Sequence, residues 1–112
     1  MQEITGDKLR GHVEPLILSA LEENEAHGLE IVKRIAAAGS GALRMKEGSL
    51  YPALYRLETA GLVKGQWEGE ETGRRGARRR LYSLTKKGKR QLAVARQEWS
   101  YFVSIMNHAL GG

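Results

Sequence analysis

Residues 85–110 carry two apolar stripes on what reads as one long helix, more apolar surface than a chain of 112 residues readily covers by itself. Thr85 is a good N-cap, and Gly88 slightly weakens the opening turns. Running to about Leu110, the helix spans on the order of 38 Å. At helical spacing Leu92, Trp99, Val103, Met106 and Leu110 fall in a narrow band, with Ala95 and Phe102 at its edge. Val94, Tyr101 and Ile105 lie on roughly the opposite side. One band can dock on the chain's own body, against its first helix. The other is then free for a second copy, so Leu92, Trp99, Phe102, Val103, Met106 and Leu110 are the candidate dimer interface. Burial of both bands inside a monomer is the alternative, but the short elements upstream offer little to cover them.

Length suits one domain, and a hydrophobic fraction of 41% furnishes a modest core. There is no cysteine, hence no disulfide framework and no thiolate metal site. No apolar run approaches the roughly 18–20 residues of a membrane span, and residues 1–12 lack the apolar centre of a signal peptide. The expectation is a soluble, cytoplasmic protein with no membrane partner. The formal charge is +5, but its distribution says more than its size. Residues 74–90 are dense in cations and contain no acid, whereas acids gather in the first third and at Glu68, Glu70 and Glu71.

The stretch 47–63 reads as a helix with a sharp stop. Leu50, Leu54 and Leu57 share one stripe, and Gly61 is placed to end the helix before the strand-like Leu62 and Val63. Pro52 is expected in the first turn, where its missing N–H breaks nothing. Ser49, Pro52, Tyr55, Arg56 and Thr59 fall opposite the leucines. That side lacks the dense Glu/Lys mixture of an ordinary solvated face and offers groups suited to base edges and phosphates. The candidate DNA-contacting residues here are Ser49, Tyr51, Pro52, Tyr55 and Arg56, with Lys46 just ahead of them.

Taken in order, residues 1–8 are polar and expected to be frayed or loosely docked. A first helix carries Val13, Leu16, Ile17, Ala20 and Leu21 on one face; either it starts at Pro15 or a longer helix kinks there. A second helix over 29–38 has Leu29, Val32, Ile35 and Ala36 as its inner face and stops at Gly39-Ser40-Gly41. Residues 43–46 alternate apolar and basic like a short strand. After the third helix, strands over 62–68 and 78–84 flank a glycine- and charge-rich loop over 69–77, forming a long hairpin. The fold class is therefore mainly α with a small β-hairpin: a winged helix-turn-helix plus a long C-terminal dimerisation helix. Residues 1–84 form the DNA-binding domain and 85–112 the dimerisation helix, packed as one unit.

In that plan the third helix enters a major groove and the hairpin, or wing, lies along the adjacent backbone. The wing holds Arg74, Arg75, Arg78, Arg79 and Arg80, and a guanidinium fork pairs with two phosphate oxygens at once. The first four are the candidate wing contacts. Strand alternation turns some of these arginines away from DNA, and ion pairs with Glu68, Glu70 and Glu71 are the competing role.

The residues here resemble the PadR family of bacterial transcriptional regulators. The likeness rests on His27-Gly28-Leu29-Glu30-Ile31, on Glu47-Gly48-Ser49-Leu50-Tyr51-Pro52-Ala53-Leu54 with Arg56-Leu57-Glu58 and Gly61-Leu62-Val63, and on Gly73-Arg74-Arg75. Leu81-Tyr82-Ser83-Leu84-Thr85-Lys86-Lys87-Gly88 completes it, while Leu29 replaces the tyrosine expected after His-Gly. One helix after the wing is similar to the family's shorter branch. The resemblance implies a homodimer joined through the last helix that binds operator DNA, usually as a repressor, often of a neighbouring efflux or detoxification gene; such a dimer sets two reading helices about one turn of double-stranded DNA apart, so a palindromic operator is expected. Some members that sense planar apolar compounds are similar in placing a tryptophan where Trp99 stands, which makes Trp99 a candidate ligand-binding residue for a small aromatic or cationic effector.

Rival functions find less support. His12, His27 and His108 lack metal-ligand spacing, no Ser/His/Asp arrangement is visible, and Gly39-Ser40-Gly41 lacks the lysine–hydroxyl ending of a phosphate loop. No enzyme, metal or cofactor is expected. A winged helix that binds protein would share the core pattern without needing the arginine-rich wing, and non-specific nucleic-acid packaging would not need the patterned third helix.

Overall fold

The computed structural model describes residues 2–68 and 79–112. A 3-10 turn at Gly6–Leu9 leads into α1 (Val13–Ala20), followed by β1 (Ala26–His27), α2 (Gly28–Ala38), α3 (Glu47–Thr59), β2 (Val63–Trp67), β3 (Arg80–Leu84) and α4 (Lys86–Ala109). The three strands form an antiparallel sheet in the order β1-β3-β2, with Ala26 opposite Tyr82 and Trp67 opposite Arg80. Helices plus this sheet make the expected winged-helix plan with its long last helix.

The leucine stripe of α3 forms the centre of the core. Leu50, Ala53, Leu54 and Leu57 are buried against Ile17, Ile31, Ile35, Val63 and Tyr82. Burying such side chains contributes about 1.5–3 kcal/mol each, offset by the entropy of ordering the chain. Gly61 ends α3 as expected: it takes φ +77°, its N–H donates to the Glu58 carbonyl, and the Leu62 N–H donates to the Leu57 carbonyl. That pair of bonds is a Schellman closure, which glycine completes without steric cost. Thr85 then ties the junction together. Its hydroxyl donates to the Gly61 carbonyl at 2.7 Å and accepts from the Gly88 N–H at 3.0 Å, capping α4.

Five expectations need correction. Pro52 is the sixth residue of α3, not a first-turn residue, because the helix already begins at Glu47. It leaves the Gly48 carbonyl without its intrahelical donor, and both residues face solvent, so water can serve instead. The inner face of α2 keeps the expected Ile35, with Val32 packed at its edge, but it is completed by Gly28 and Ile31, and Leu29 is 56% exposed. Residues 43–46 do not form a strand of their own. Leu43 instead makes a single parallel bridge to Ile4, whose N–H donates to the Ala42 carbonyl at 2.7 Å. The N-terminal segment is thereby held and not frayed. Finally, α1 does not start at Pro15 but at Val13, with Pro15 in its first turn.

Candidate nucleic-acid interface

On α3 the residues opposite the leucine stripe come together on one open face. Ser49, Tyr51, Pro52, Tyr55 and Arg56 are all exposed, Tyr55 by 73%. Lys46, the N-cap residue, is exposed beside them. Arg56 reaches back to α1, its Nε 3.5 Å from Glu14 Oε2. Both side chains are about half exposed, so this pair contributes at most about 1 kcal/mol and yields readily to a phosphate. Thr59 is different. Its hydroxyl donates to the Tyr55 carbonyl at 2.9 Å and is committed to its own helix.

Arg79 is exposed at the root of the wing, while Arg74, Arg75 and Arg78 lie outside the described residues. Arg80 faces the other way. Its Nη2 and Nε lie 2.9 and 3.2 Å from the two carboxylate oxygens of Glu58 on α3. That hydrogen bond raises the Arg80 pKa above its ordinary value, so the guanidinium stays charged. Glu68 pairs with His27 at 2.6 Å. The only hint of either contact in the sequence was strand alternation, which puts Arg80 on the same side as buried Tyr82.

The second region of interest is a cleft of about 810 Å³ between the N-terminal segment, α1 and α4. His12 meets the Trp99 ring edge-on at 5.3 Å, and Phe102 stacks near it at 5.8 Å. Around this cleft the expected dimer residues divide. Leu92 is 2% exposed inside the protomer's own core and has no surface left for a second chain, which removes it from the interface. Trp99, Phe102, Met106 and Leu110 are exposed and Val103 half-buried. Val94, Tyr101 and Ile105 are exposed as well, so the body of the protomer covers neither band of the outer half of α4. The radius of gyration, 15.7 Å, exceeds the roughly 13 Å of a compact domain this long, as a projecting helix requires.

Among the described residues no three His, Asp or Glu side chains gather to hold a metal ion, and no helix is long and apolar enough to cross a membrane.

The sequence pattern of the PadR-like transcriptional regulators matches residues 17–94, from the middle of α1 into α4. The chain belongs to the PadR-like transcriptional regulator family. The match takes in all of α2, α3, β2 and β3. Solved structures agree. A transcriptional regulator from Clostridium thermocellum superposes with a TM-score of 0.80 at 32% identity, covering 92% of this chain and 97% of that one. A PadR family transcription regulator from Clostridium difficile gives 0.73 at 36% identity, covering 89% and 99%. A transcriptional regulator of Mycobacterium tuberculosis is 33% identical over 96 residues, 86% of this chain and 80% of its own.

Proposed function

We propose that this PadR-family regulator works as a homodimeric repressor that reads a palindromic operator. The observation that carries this reading is the open face of α3, where Ser49, Tyr51, Pro52, Tyr55 and Arg56 are exposed together on the far side of a helix whose leucines form the core. In this arrangement α3 enters a major groove, Lys46 meets the backbone at its start, and Arg74, Arg75, Arg78 and Arg79 grip phosphates beside it. Dimerisation through Trp99, Phe102, Val103, Met106 and Leu110 gives the exposed outer half of α4 a cover and sets the two reading helices about one DNA turn, roughly 34 Å, apart. The effector role belongs to the cleft at Trp99, whose indole suits stacking on a planar aromatic or cationic molecule.

A mobility-shift titration with a palindromic fragment from the chain's own promoter, against scrambled competitor and across salt, tests the DNA reading. Tyr55→Ala or Arg56→Ala lowers the preference for the palindrome, whereas Arg74→Ala weakens all DNA alike and reduces the salt slope by about one. Equal losses on both DNAs in every variant defeat the assignment. Trp99 emission, followed in a Trp67→Phe background during titration with planar cationic dyes, tests the effector role; no response to any dye counts against it.

A further inference from the structure

A reading helix and a wing act as one surface only if the angle between them is fixed. Resting on the DNA-binding reading above, we propose that Glu58 and Arg80 form a strut that sets the wing against α3. On this proposal Arg80 is a positioning residue and not a phosphate contact.

The strut joins the last turn of α3 to the first residue of β3. Arg80 presents two nitrogens to both oxygens of Glu58, at 2.9 and 3.2 Å, and about a quarter of each side chain is exposed. A fork-to-fork pair fixes orientation as well as distance. The pair passes directly over Gly65 of β2. A Cβ there would collide with Glu58 Oε1 and come within 2.7 Å of Arg80 Nε, so the missing side chain is the opening through which helix and strand meet. Trp67, opposite Arg80 in the sheet, lies 5.1 Å beneath the guanidinium and holds its plane. Glu58 is one turn from Tyr55, so the strut anchors to the helix close to its reading face.

The other strand of the wing root is tied to the strand that carries Arg80 as well as to the body of the protein. The Glu68 carboxylate, just beyond β2, accepts from His27 Nε2 of β1, the N-cap residue of α2, and the Glu68 N–H donates to the Arg79 carbonyl at 2.8 Å. One strand is thus pinned to α3 and the other to β1, at the N-cap of α2.

The test uses the duplex that the wild-type protein selects from a randomised library, with a scrambled duplex of equal composition as reference. Glu58→Gln is isosteric, and by charge alone it should tighten binding to any DNA. The strut predicts the opposite sign: about tenfold weaker binding to the selected duplex, with the scrambled duplex within about twofold. Arg80→Gln should show the same selective loss with an unchanged salt slope. Gly65→Ala should reproduce it with every charge retained, and Glu58→Arg combined with Arg80→Glu should recover about threefold or more. Equal loss on both duplexes with a slope smaller by about one in Arg80→Gln makes Arg80 a phosphate contact and overturns the proposal. So does selected-duplex binding that is unchanged or tighter in Glu58→Gln. If the wild type selects no duplex, the DNA reading fails, and hydrogen exchange judges the strut separately. The Glu68 amide should then exchange about tenfold faster in Glu58→Gln while the Ile17 amide keeps its rate, and an unchanged Glu68 rate overturns it.

Discussion

The phenol of Tyr51 lies over Gly28 so closely that a Cβ on Gly28 would come within 2.6 Å of the hydroxyl. This contact seats the exposed face of α3 against the start of α2. Gly28→Ala forces the ring outward, but the obstacle is the free end of a half-exposed side chain. Stability should fall by less than about 1 kcal/mol in denaturant titration, while affinity for the selected duplex drops about three- to tenfold.

Gly88 presents the opposite case. A Cβ there would collide with the Leu62 carbonyl, which is backbone, and would meet Leu84 Cδ1 at 2.7 Å. Alanine gains about 1 kcal/mol of helix propensity and still loses, because the junction between α3 and α4 must open to admit it. Gly88→Ala should destabilise by about 2 kcal/mol or more in the same titration.

Ser40 closes α2 in the left-handed region, at φ +56°, with its N–H on the Ala37 carbonyl and the Gly41 N–H on the Ala36 carbonyl. This is the position where glycine is normally found. Ser40→Gly should raise stability by about 0.5–1 kcal/mol, part of the relief being returned as added freedom of the unfolded chain.

Arg96 binds both oxygens of Glu22, at 2.9 and 3.0 Å, tying α4 to the end of α1. The hydrogen bond from Arg96 holds the Glu22 carboxyl below its ordinary value. A carboxyl with a lowered folded-state pKa contributes stability above its unfolded value and loses that contribution as pH falls through the folded one. Wild type should therefore lose more stability than Glu22→Gln on acidification from about pH 5, and the two curves should run parallel once the carboxylate is protonated.

Leu92 and Phe102 share a helix but not a role. Leu92→Ala leaves a hole in the protomer core and should cost about 2–5 kcal/mol. Phe102→Asp should leave the fold intact while weakening self-association about a hundredfold in sedimentation, since its ring is exposed on the free protomer.

The parts legible in the sequence were those with strong periodicity or strong punctuation. The Leu50–Leu54–Leu57 stripe, the Gly61 stop and the Thr85 cap each follow from local chemistry and stand where expected. The fold class followed from their order. What escaped was non-local. β1 is two residues long, too short to show a period, and exists because Ala26 and His27 find Tyr82 and Leu81, which follow only after α2, α3 and β2. Ile4 is held by Leu43 for the same reason. On α2 the spacing places Ile35 correctly but not Leu29, which is apolar yet exposed, because apolarity alone does not say which way a side chain faces. Leu92 shares a stripe with Trp99, yet only Trp99 is exposed, because a helix can leave the core partway along a stripe. On α3 the candidate reading face was visible from spacing alone, but the Glu58–Arg80 contact needed the missing side chain of Gly65 to be placed in space.

One consequence follows from the way α4 leaves the body of the protein. Leu92 is embedded, and from there to Ala109 the helix runs on without interruption for about 26 Å. Such a rod is a lever with its fulcrum at Leu92. A tilt of about 5° at the fulcrum swings the tip by about 2 Å, more than a side chain gives before its packing fails. Whatever shifts the root of α4, through Gly88 or through the Arg96 tether, is magnified at the far end. A displacement imposed at the tip arrives at the core reduced by the same ratio.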